Sequence, residues 1–384
     1  AQKVYSKKLQ GHSVVVVISS MDSIRQQLRQ MMREITREPN KRERDVLLAT
    51  GAQMTSSLLA MAIEELGGRA VSLMGWQAVI ETDNLYGNAR IEYVQTKRIE
   101  CAFMQDEIVI VAGFQGVDDD RNITTLGKGG SETSAVAIAA ELNADLVEVY
   151  VDVDGIYTAD PAIVPNARKL KSVSYDEMLE LSHLGSHILH PRAVELAKKY
   201  DIPVEIRSFY TDEAGTLLKE EVEMEKDLIV SGVAYEKDIV RLTVGCNNGD
   251  HRFLAPIFSA LSNNGINVDI IVQSIINGLT PSVSFTIAKD EFAECLRVLE
   301  TSKASLGFSF ADFEVGLAKV SIIGSGMASN PGVAARMFSR LSEEHIDVKM
   351  VSTSEIKVSV VVSQDDMVRA ANALHDEFHL VVVE

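Results

Sequence analysis

Residues 124–133, TTLGKGGSET, set three glycines, a lysine and several hydroxyls between two apolar runs. The stretch EIVIVAGFQG (107–116) before it reads as a strand entering a glycine loop, and SETSAVAIAAELNA (131–144) reads as an Ala-rich helix. Gly127, Gly129 and Gly130 therefore fall between a strand and a helix start. Glycines there let backbone N–H groups approach phosphate oxygens, and the helix N-terminus adds a partial positive charge. Lys128 adds a full charge. The loop has neither the Walker spacing nor the dinucleotide G-x-G-x-x-G spacing. On these residues alone, a plain glycine loop is an equal reading. VDVDGIYTADP (151–161) carries Asp152, Asp154 and Asp160 with Gly155 and Tyr157. Such a loop can hold a ribose, a base or a magnesium-bound phosphate, or it can be an Asx-type turn closing a strand. GFQG, with Gln115, and YGNAR, with Arg90, are loops of the kind that orient a small polar substrate; plain surface turns explain them as well. His183, His187 and His190 are spaced to share a helix face, where packing or exposure is a stronger reading than metal binding. No order of Ser, His and Asp suggests a hydrolase.

The elements around these loops alternate. SVVVVIS (13–19) is a β-branched run suited to a buried parallel strand. Residues 22–36 and 47–68 predict helices, the second ended by Gly67 and Gly68. RAVSLMGW, DLVEVYVDVDG and IPVEIRSF predict further strands, and YDEMLELSHLG and PRAVELAKKYD further helices. Strands alternating with helices predict a layered α/β domain with a mainly parallel sheet.

Past residue 210 the texture becomes polar, and an internal repeat follows. IFSALSNNGINVDIIVQS begins at Ile257, and MFSRLSEEHIDVKMVSTS begins 80 residues later at Met337. Phe258 aligns with Phe338, Leu261 with Leu341, Ile266 with Ile346 and Ser274 with Ser354. Each copy predicts strand, helix, strand, strand, helix, strand, so a duplicated α+β module is expected. Tandem modules after a catalytic-type domain suggest small-molecule sensing or dimerisation.

Composition narrows the partners. The 384 residues carry 37 basic and 55 acidic side chains, a net charge of −18. That disfavours nucleic acid or an anionic membrane surface as the main partner. Cys101, Cys246 and Cys295 are too few and too far apart for a disulfide framework or a metal spacing, which predicts a reducing cytoplasm. No signal peptide and no apolar run of membrane-spanning length are read. The chain begins at Ala1 without an initiator Met, which leaves two readings, a start that is missing here or one that is truly absent.

VVVVIS, GWQA, YGNARI, VAGFQG, TTLGKGGSETSAVA, DVDGIYTADP, SYDEMLEL, ILHPRAVELA, IIGSGMASNPGVAA and MVSTSEIKVSVVV occur in an order and spacing that resemble the aspartokinase family over nearly the whole chain. The resemblance implies an amino-acid-kinase, carbamate-kinase-like three-layer α/β sandwich at 1–210 and a linker at 211–235. Two tandem ferredoxin-like ACT domains would follow at 236–315 and 316–384. It implies transfer of the γ-phosphoryl of Mg-ATP to the side-chain carboxylate of L-aspartate, at the head of lysine, threonine and methionine synthesis. Lysine or threonine would bind the ACT domains, through which homo- or hetero-oligomers would assemble. Carried onto this chain, Lys128 and Glu132 are catalytic, and Gly129, Gly130, Ser131, Gln115 and Arg90 bind substrate. Asp152, Asp154, Gly155, Tyr157 and Asp160 bind nucleotide. Asp269, Gln273, Gly326, Met327 and Asn330 bind effector, and no side chain is assigned to a metal.

The same resemblance exposes departures. The family's K-F-G-G-T-S strand has no counterpart, and DSIRQQ replaces a Gly-Lys-Thr-Thr-Asp type stretch. T-G-E-Q becomes Thr50, Gly51, Ala52, Gln53, so a carboxylate is lost. In G-R-G-G-S-D, the Arg is Lys128 and the Asp is Glu132. Lysine lacks the bidentate fork, and glutamate moves the charge by about one methylene. T-D-V-D-G is led by Val151, D-P-R ends in Ala162, and the Lys of G-A-K-V-L-H is His187. In the first ACT module, GCNNGDHRFL replaces a D-x-P-G-type turn. Together these predict impaired catalysis, with a surviving role in effector sensing and subunit assembly. The alternative is a fully active, feedback-regulated aspartate kinase.

Overall fold

The computed structural model describes the chain except residues 184–187, 221–228, 247–252, 277–279, 302, 304–306, 328–329, 331 and 381–384; at residues 183, 275, 276 and 280 only the backbone is described. The chain forms two compact units. The first is Ala1–Ile156, Lys171–Ser182 and His187–Val222, and the second is Tyr157–Leu170, His183–Ser186 and Glu223–Glu384.

The first unit is built on a parallel sheet. Its helices are α1 (Gln2–Leu9), α2 (Asp22–Ile35), α3 (Lys41–Glu65), α4 (Lys97–Met104), α5 (Gly130–Leu142), α6 (Tyr175–His183) and α7 (Pro191–Tyr200). Strands β1 (Val15–Ile18), β2 (Ala70–Leu73) and β5 (Ile108–Ala112) pair in parallel in the order β1-β5-β2. Alternation along these strands explains the layers. Ile108 and Ile110 join Ala60 and Ile63 of α3 on one face. Val109 and Val111 join Ile99 of α4 and Ile138 of α5 on the other. Both faces are buried, so β5 reads as an unbroken apolar run. Strands β3 (Ile80–Thr82), β4 (Ile91–Val94), β6 (Gln115–Val117) and β7 (Ile123–Thr125) form a second sheet, β4-β3-β6-β7. Strands β8 (Val147–Val151), β9 (Ser172–Val173), β10 (Val204–Ser208) and β11 (Thr216–Leu218) form a third, β8-β10-β11-β9, with β8 and β10 parallel.

Helix α3 starts six residues earlier than 47, at Lys41, because Asn40 caps it by accepting the Arg42 N–H at 2.9 Å. Contrary to the sequence expectation, α3 is long and apolar enough to cross a membrane by length and composition. In the structure it packs against β2, β5 and β7, which supplies a core reason for its apolar character. The three histidines do not share a helix face: His183 ends α6, His190 caps α7, and His187 lies outside the described residues.

In the second unit, β12 (Gly232–Gly245), β13 (Ile271–Ile276), β14 (Thr280–Ala288), β15 (Phe310–Ile323), β16 (Met350–Thr353) and β17 (Lys357–Ser363) make one six-stranded sheet, β13-β14-β12-β15-β17-β16. Helices α8 (Leu254–Asn263), α9 (Phe292–Thr301), α10 (Val333–Glu343) and α11 (Met367–Glu377) complete the two modules. The repeat is a core repeat: Ile257, Leu261 and Ile266 are buried in the first module, and Met337, Leu341 and Ile346 in the second. The modules exchange strand halves. Residues 239–245 of β12 pair with β14 and with the first half of β15, while residues 232–236 pair with 319–323 in the second half of β15. The segment expected as linker thus contributes β11 to the first unit and the start of β12 to the second. Tyr157–Leu170 also belongs to the second unit, where Ala159 and Val164 enter the core around Val320 and Leu374.

Lys319, on β15, is buried and ion-paired with Asp269 and, at 2.8 Å, with Glu236. Burial alone would lower its pKa, but Asp269 first and Glu236 next hold it above the ordinary lysine value.

The burial contrast within the repeat is testable. Met337 is fully buried and Phe338 is 36% exposed. Met337→Ala is expected to cost about 2–5 kcal/mol from lost transfer energy and a cavity. Phe338→Ala is expected to cost about 1 kcal/mol or less. Urea midpoints of the two variants measure the difference.

Candidate active site

After Thr125 the chain turns through Gly127 (φ 78°) and Gly129 (φ 70°) into α5. A Cβ on Gly129 would lie 2.1 Å from Cβ of His190, so both its backbone angle and the close approach of the α7 cap require glycine. Gly130 N–H bonds to Gly127 O at 3.1 Å and closes the turn. The backbone N–H groups of Lys128, Gly129, Ser131 and Glu132 find no acceptor among the described residues. These donors, at a left-handed turn and a helix start on either side of Gly130, make an anion cradle, and Lys128 is one of its residues.

Glu132 follows this cradle on the first turn of α5 and is largely withdrawn from water. Its Oε2 accepts the backbone N–H of His190 at 2.6 Å. Desolvation holds its pKa above the usual carboxylate range, against the lowering effects of the His190 N–H and of Lys128. His190 is itself the cap of α7: its Nδ1 accepts the Arg192 N–H at 3.3 Å, and Pro191 occupies the first helical position. Sequence reasoning passed over His190 as a partner, although a capping residue before a proline is a helix-start signal.

Ala52 of α3 is buried, at the position where the family pattern carries a carboxylate. Gln115 is also buried: its Nε2 donates to Ala49 O at 3.1 Å, and its Oε1 accepts from Gln53 Nε2 at 3.1 Å. Its amide is thus occupied in holding β6 to α3. Phe114, in the GFQG loop, has φ 72°, a costly angle for a bulky residue, and its carbonyl accepts the Leu126 N–H at 3.0 Å. No residue-type signal predicts that strain, since phenylalanine does not favour it. Ser131 stands close to the end of β5, where a Cβ on Gly113 would meet its Oγ at 2.9 Å.

Arg90 lines an open cleft of about 470 Å³ with Asn88, Ile91, Thr133, Arg192 and Lys199, and Lys128 is not among its walls. Asp152, Asp154 and Gly155 follow β8 in the first unit, whereas Tyr157 and Asp160 belong to the second. Asp160 is engaged there: Oδ1 accepts the Ala162 N–H at 2.9 Å, and Oδ2 accepts the Tyr235 hydroxyl at 2.6 Å. Burial, with that bond, pushes the Tyr235 phenol up to about 12. In the effector set, Asp269 is paired with Lys319, and Gln273 is exposed on β13. Met327 is buried in the second module's core, and Asn330 Nδ2 donates to Gly326 O at 2.7 Å. No described hydrogen bond joins the Asp269–Gln273 pair to the Gly326–Asn330 group.

Comparison with known proteins bears on the family and the fold. The profile of the amino acid kinase family fits residues 1–208, and that of an ACT domain fits residues 320–378. The aspartokinase of Bacillus sp. (strain MGA3) is 51% identical over 380 residues, covering 99% of this chain and 92% of its own. Aspartokinase 2 of Bacillus subtilis (strain 168) is 50% identical over 380 residues, covering 99% and 93%. The crystal structure of E. coli aspartokinase III in complex with aspartate and ADP (R-state) superposes with a TM-score of 0.73 at 26% identity, covering 92% of this chain and 79% of that one.

The environment of Glu132 sets a pH dependence. Its pKa in the folded chain exceeds its ordinary value, so the folded state holds the proton to higher pH. Ionisation of Glu132 therefore costs stability in full above the raised pKa, and the cost fades as pH falls from there to the ordinary carboxylate value. Glu132→Gln, which keeps an acceptor for the His190 N–H, is expected to raise the melting temperature at neutral pH. The gain should fade as pH falls toward the ordinary carboxylate range. Thermal melts across pH check this.

Proposed function

The chain belongs to the aspartokinase family, an amino-acid-kinase fold with C-terminal ACT domains, and from that premise we propose that it is an effector-sensing member with attenuated catalysis. Its reaction is the phosphorylation of the L-aspartate side-chain carboxylate by Mg-ATP. ATP supplies the phosphoryl group; the N–H groups of Gly129 and Ser131 and the charge of Lys128 would hold its phosphates. Asp152, Asp154 and Gly155 would contribute on the nucleotide side.

The observation that carries attenuation is the position of the Glu132 carboxylate. It is desolvated and bonded to the His190 N–H, and so committed to joining α5 to α7. A lysine replaces the family's arginine beside it and removes the planar two-point contact for a carboxylate or phosphate. Ala52 contributes no charge at the third altered position. Phosphoryl transfer depends on positioning and charge cancellation, and one lost charge-stabilising contact costs about a hundredfold or more. A second reading, full activity, is favoured by the 51% identity over 99% of the chain to a protein named aspartokinase and by the intact glycine turn.

The ACT modules would sense lysine or threonine through Asp269, Gln273, Gly326, Met327 and Asn330, and would assemble subunits of the same or a related chain. A reducing cytoplasm is the expected compartment. Its thiols suit that setting: Cys246 and Cys295 are buried and unbridged, and burial pushes the Cys295 thiol up to about 12.

Trapping aspartyl phosphate as the hydroxamate, with ATP, magnesium and aspartate, tests the two readings. Attenuation predicts slow turnover that rises at least about tenfold when Lys128→Arg and Glu132→Asp are combined. Turnover equal to that of the Bacillus subtilis relative, with no gain from the double substitution, would sink attenuation and establish the second reading. Calorimetric titration with lysine and threonine tests sensing; no heat with either removes it.

A further inference from the structure

Asp45 lies in the first turns of α3 and has no access to solvent. Its Oδ2 accepts two backbone N–H groups, from Gly87 at 2.7 Å and from Thr125 at 2.8 Å. Oδ1 makes no hydrogen bond, and Arg44 Nε is 3.7 Å from it. Arg192, on α7, reaches the same two segments with the opposite charge. Its Nη1 donates to Leu126 O at 2.6 Å and to Asn88 Oδ1 at 3.3 Å, and its Nη2 donates to Ala89 O at 2.9 Å. Between the two side chains, Ala89 N–H donates to Thr125 O at 2.9 Å.

The pattern is complementary. A carboxylate from one helix takes a donor from each segment, and a guanidinium from another helix gives to an acceptor on each. Burying the Asp45 charge is unfavourable unless its hydrogen bonds are filled, and Arg192 is half-buried in contact with the same two segments. Simple packing of α3 against β7 would be served better by an apolar side chain. Gly87, with φ 87°, lets its N–H reach Asp45, and a Cβ there would strike Arg44 at 1.9 Å. Leu126, held by Arg192, directly precedes Gly127, where the anion cradle begins.

We propose that Asp45 and Arg192 are positioning residues that lock residues 86–90 and 124–127 together and so fix the direction of the N–H groups from Lys128 to Glu132. The proposal rests on the reading that this loop receives the phosphates of ATP. Neither side chain need touch substrate. A displacement of about 1 Å in such a cradle is enough to reduce turnover about a hundredfold.

The test uses the full chain with Asp45→Asn, Arg192→Lys and both together. Asn keeps the size of Asp45 but turns one oxygen into a donor, and Lys keeps the charge of Arg192 but loses the two-carbonyl fork. Amide exchange should rise in both segments for either single substitution, while the remainder of the first unit keeps its protection. Turnover per ATP, as kcat/KM, should fall about a hundredfold. The double variant should be no worse than the poorer single, because both act on one locked pair. Faster exchange confined to the segment beside one mutated residue would overturn the proposal, as would uniform loss of protection or multiplicative losses in the double variant. If Asp45→Asn does not fold, Arg192→Lys alone decides through the same exchange comparison. Exchange needs no turnover, so an inactive wild-type chain would refute the kinase reading and still leave the lock tested.

Discussion

A carboxylate sealed from water organises the first unit. Asp45 has solvent on no side, and its strong contacts are the N–H groups of Gly87 and Thr125. Such a group tolerates little movement, because each lost bond leaves a buried charge less satisfied. The loops it holds are short, with one glycine each, and Ala89, Thr124, Thr125 and Leu126 within them are buried. Their order comes from outside them, from α3 on one side and from Arg192 and His190 at the start of α7 on the other. The parallel sheet matters to the site chiefly because its two helical layers place α3 and α5 where these bonds can form.

Within that frame the altered residues take on specific meanings. Glutamate is longer than aspartate by a methylene, and Glu132 uses its length to reach a backbone N–H on α7. The charge is kept in number and changed in place. Gly129 is under the opposite pressure, since no side chain fits between the turn and His190. The glycine turn is therefore maintained by sterics, while the charged positions beside it differ from the family pattern. A loop can keep its shape under packing constraints after its electrostatics have shifted.

The second unit obeys a different rule. The two copies of one module share a single six-stranded sheet, and their longest strands, β12 and β15, pair with each other in both halves. The segment Tyr157–Leu170 is built into the same core. Val233 N–H donates to Thr158 O at 2.7 Å, the buried His375 bonds Thr158 Oγ1 at 2.9 Å, and Asn372 Nδ2 donates to Ile163 O at 3.0 Å. The stretch DVDGIYTADP thus passes from one unit into the other along its length. Its last residues, from Tyr157 on, are held within the second unit by these bonds.

Much of the architecture was legible in residue order. The apolar run EIVIVAG is buried on both faces, whereas SVVVVIS, expected to be buried, forms an edge strand that is only half-buried; the spacing of such runs with helices gave the α/β order. Ile257, Leu261 and Ile266, echoed by Met337, Leu341 and Ile346, announced a duplicated core because buried positions tolerate few residue types. Gly127 and Gly129 marked the cradle because few other residues adopt their backbone, and Gly130 because Leu126 and Phe114 approach it closely. What tertiary structure alone decided is which polar groups meet. Gln115 looked like a substrate contact, yet its amide is occupied by Ala49 and Gln53. Asp160 looked like a nucleotide ligand, yet it is bonded to Tyr235. Asp45 and Arg192 belonged to no recognised motif and hold the loop from residues 80 and 66 positions away. Local sequence fixes conformation through sterics and burial patterns with short periods. Hydrogen bonds between distant segments depend on register and approach, which no local pattern encodes.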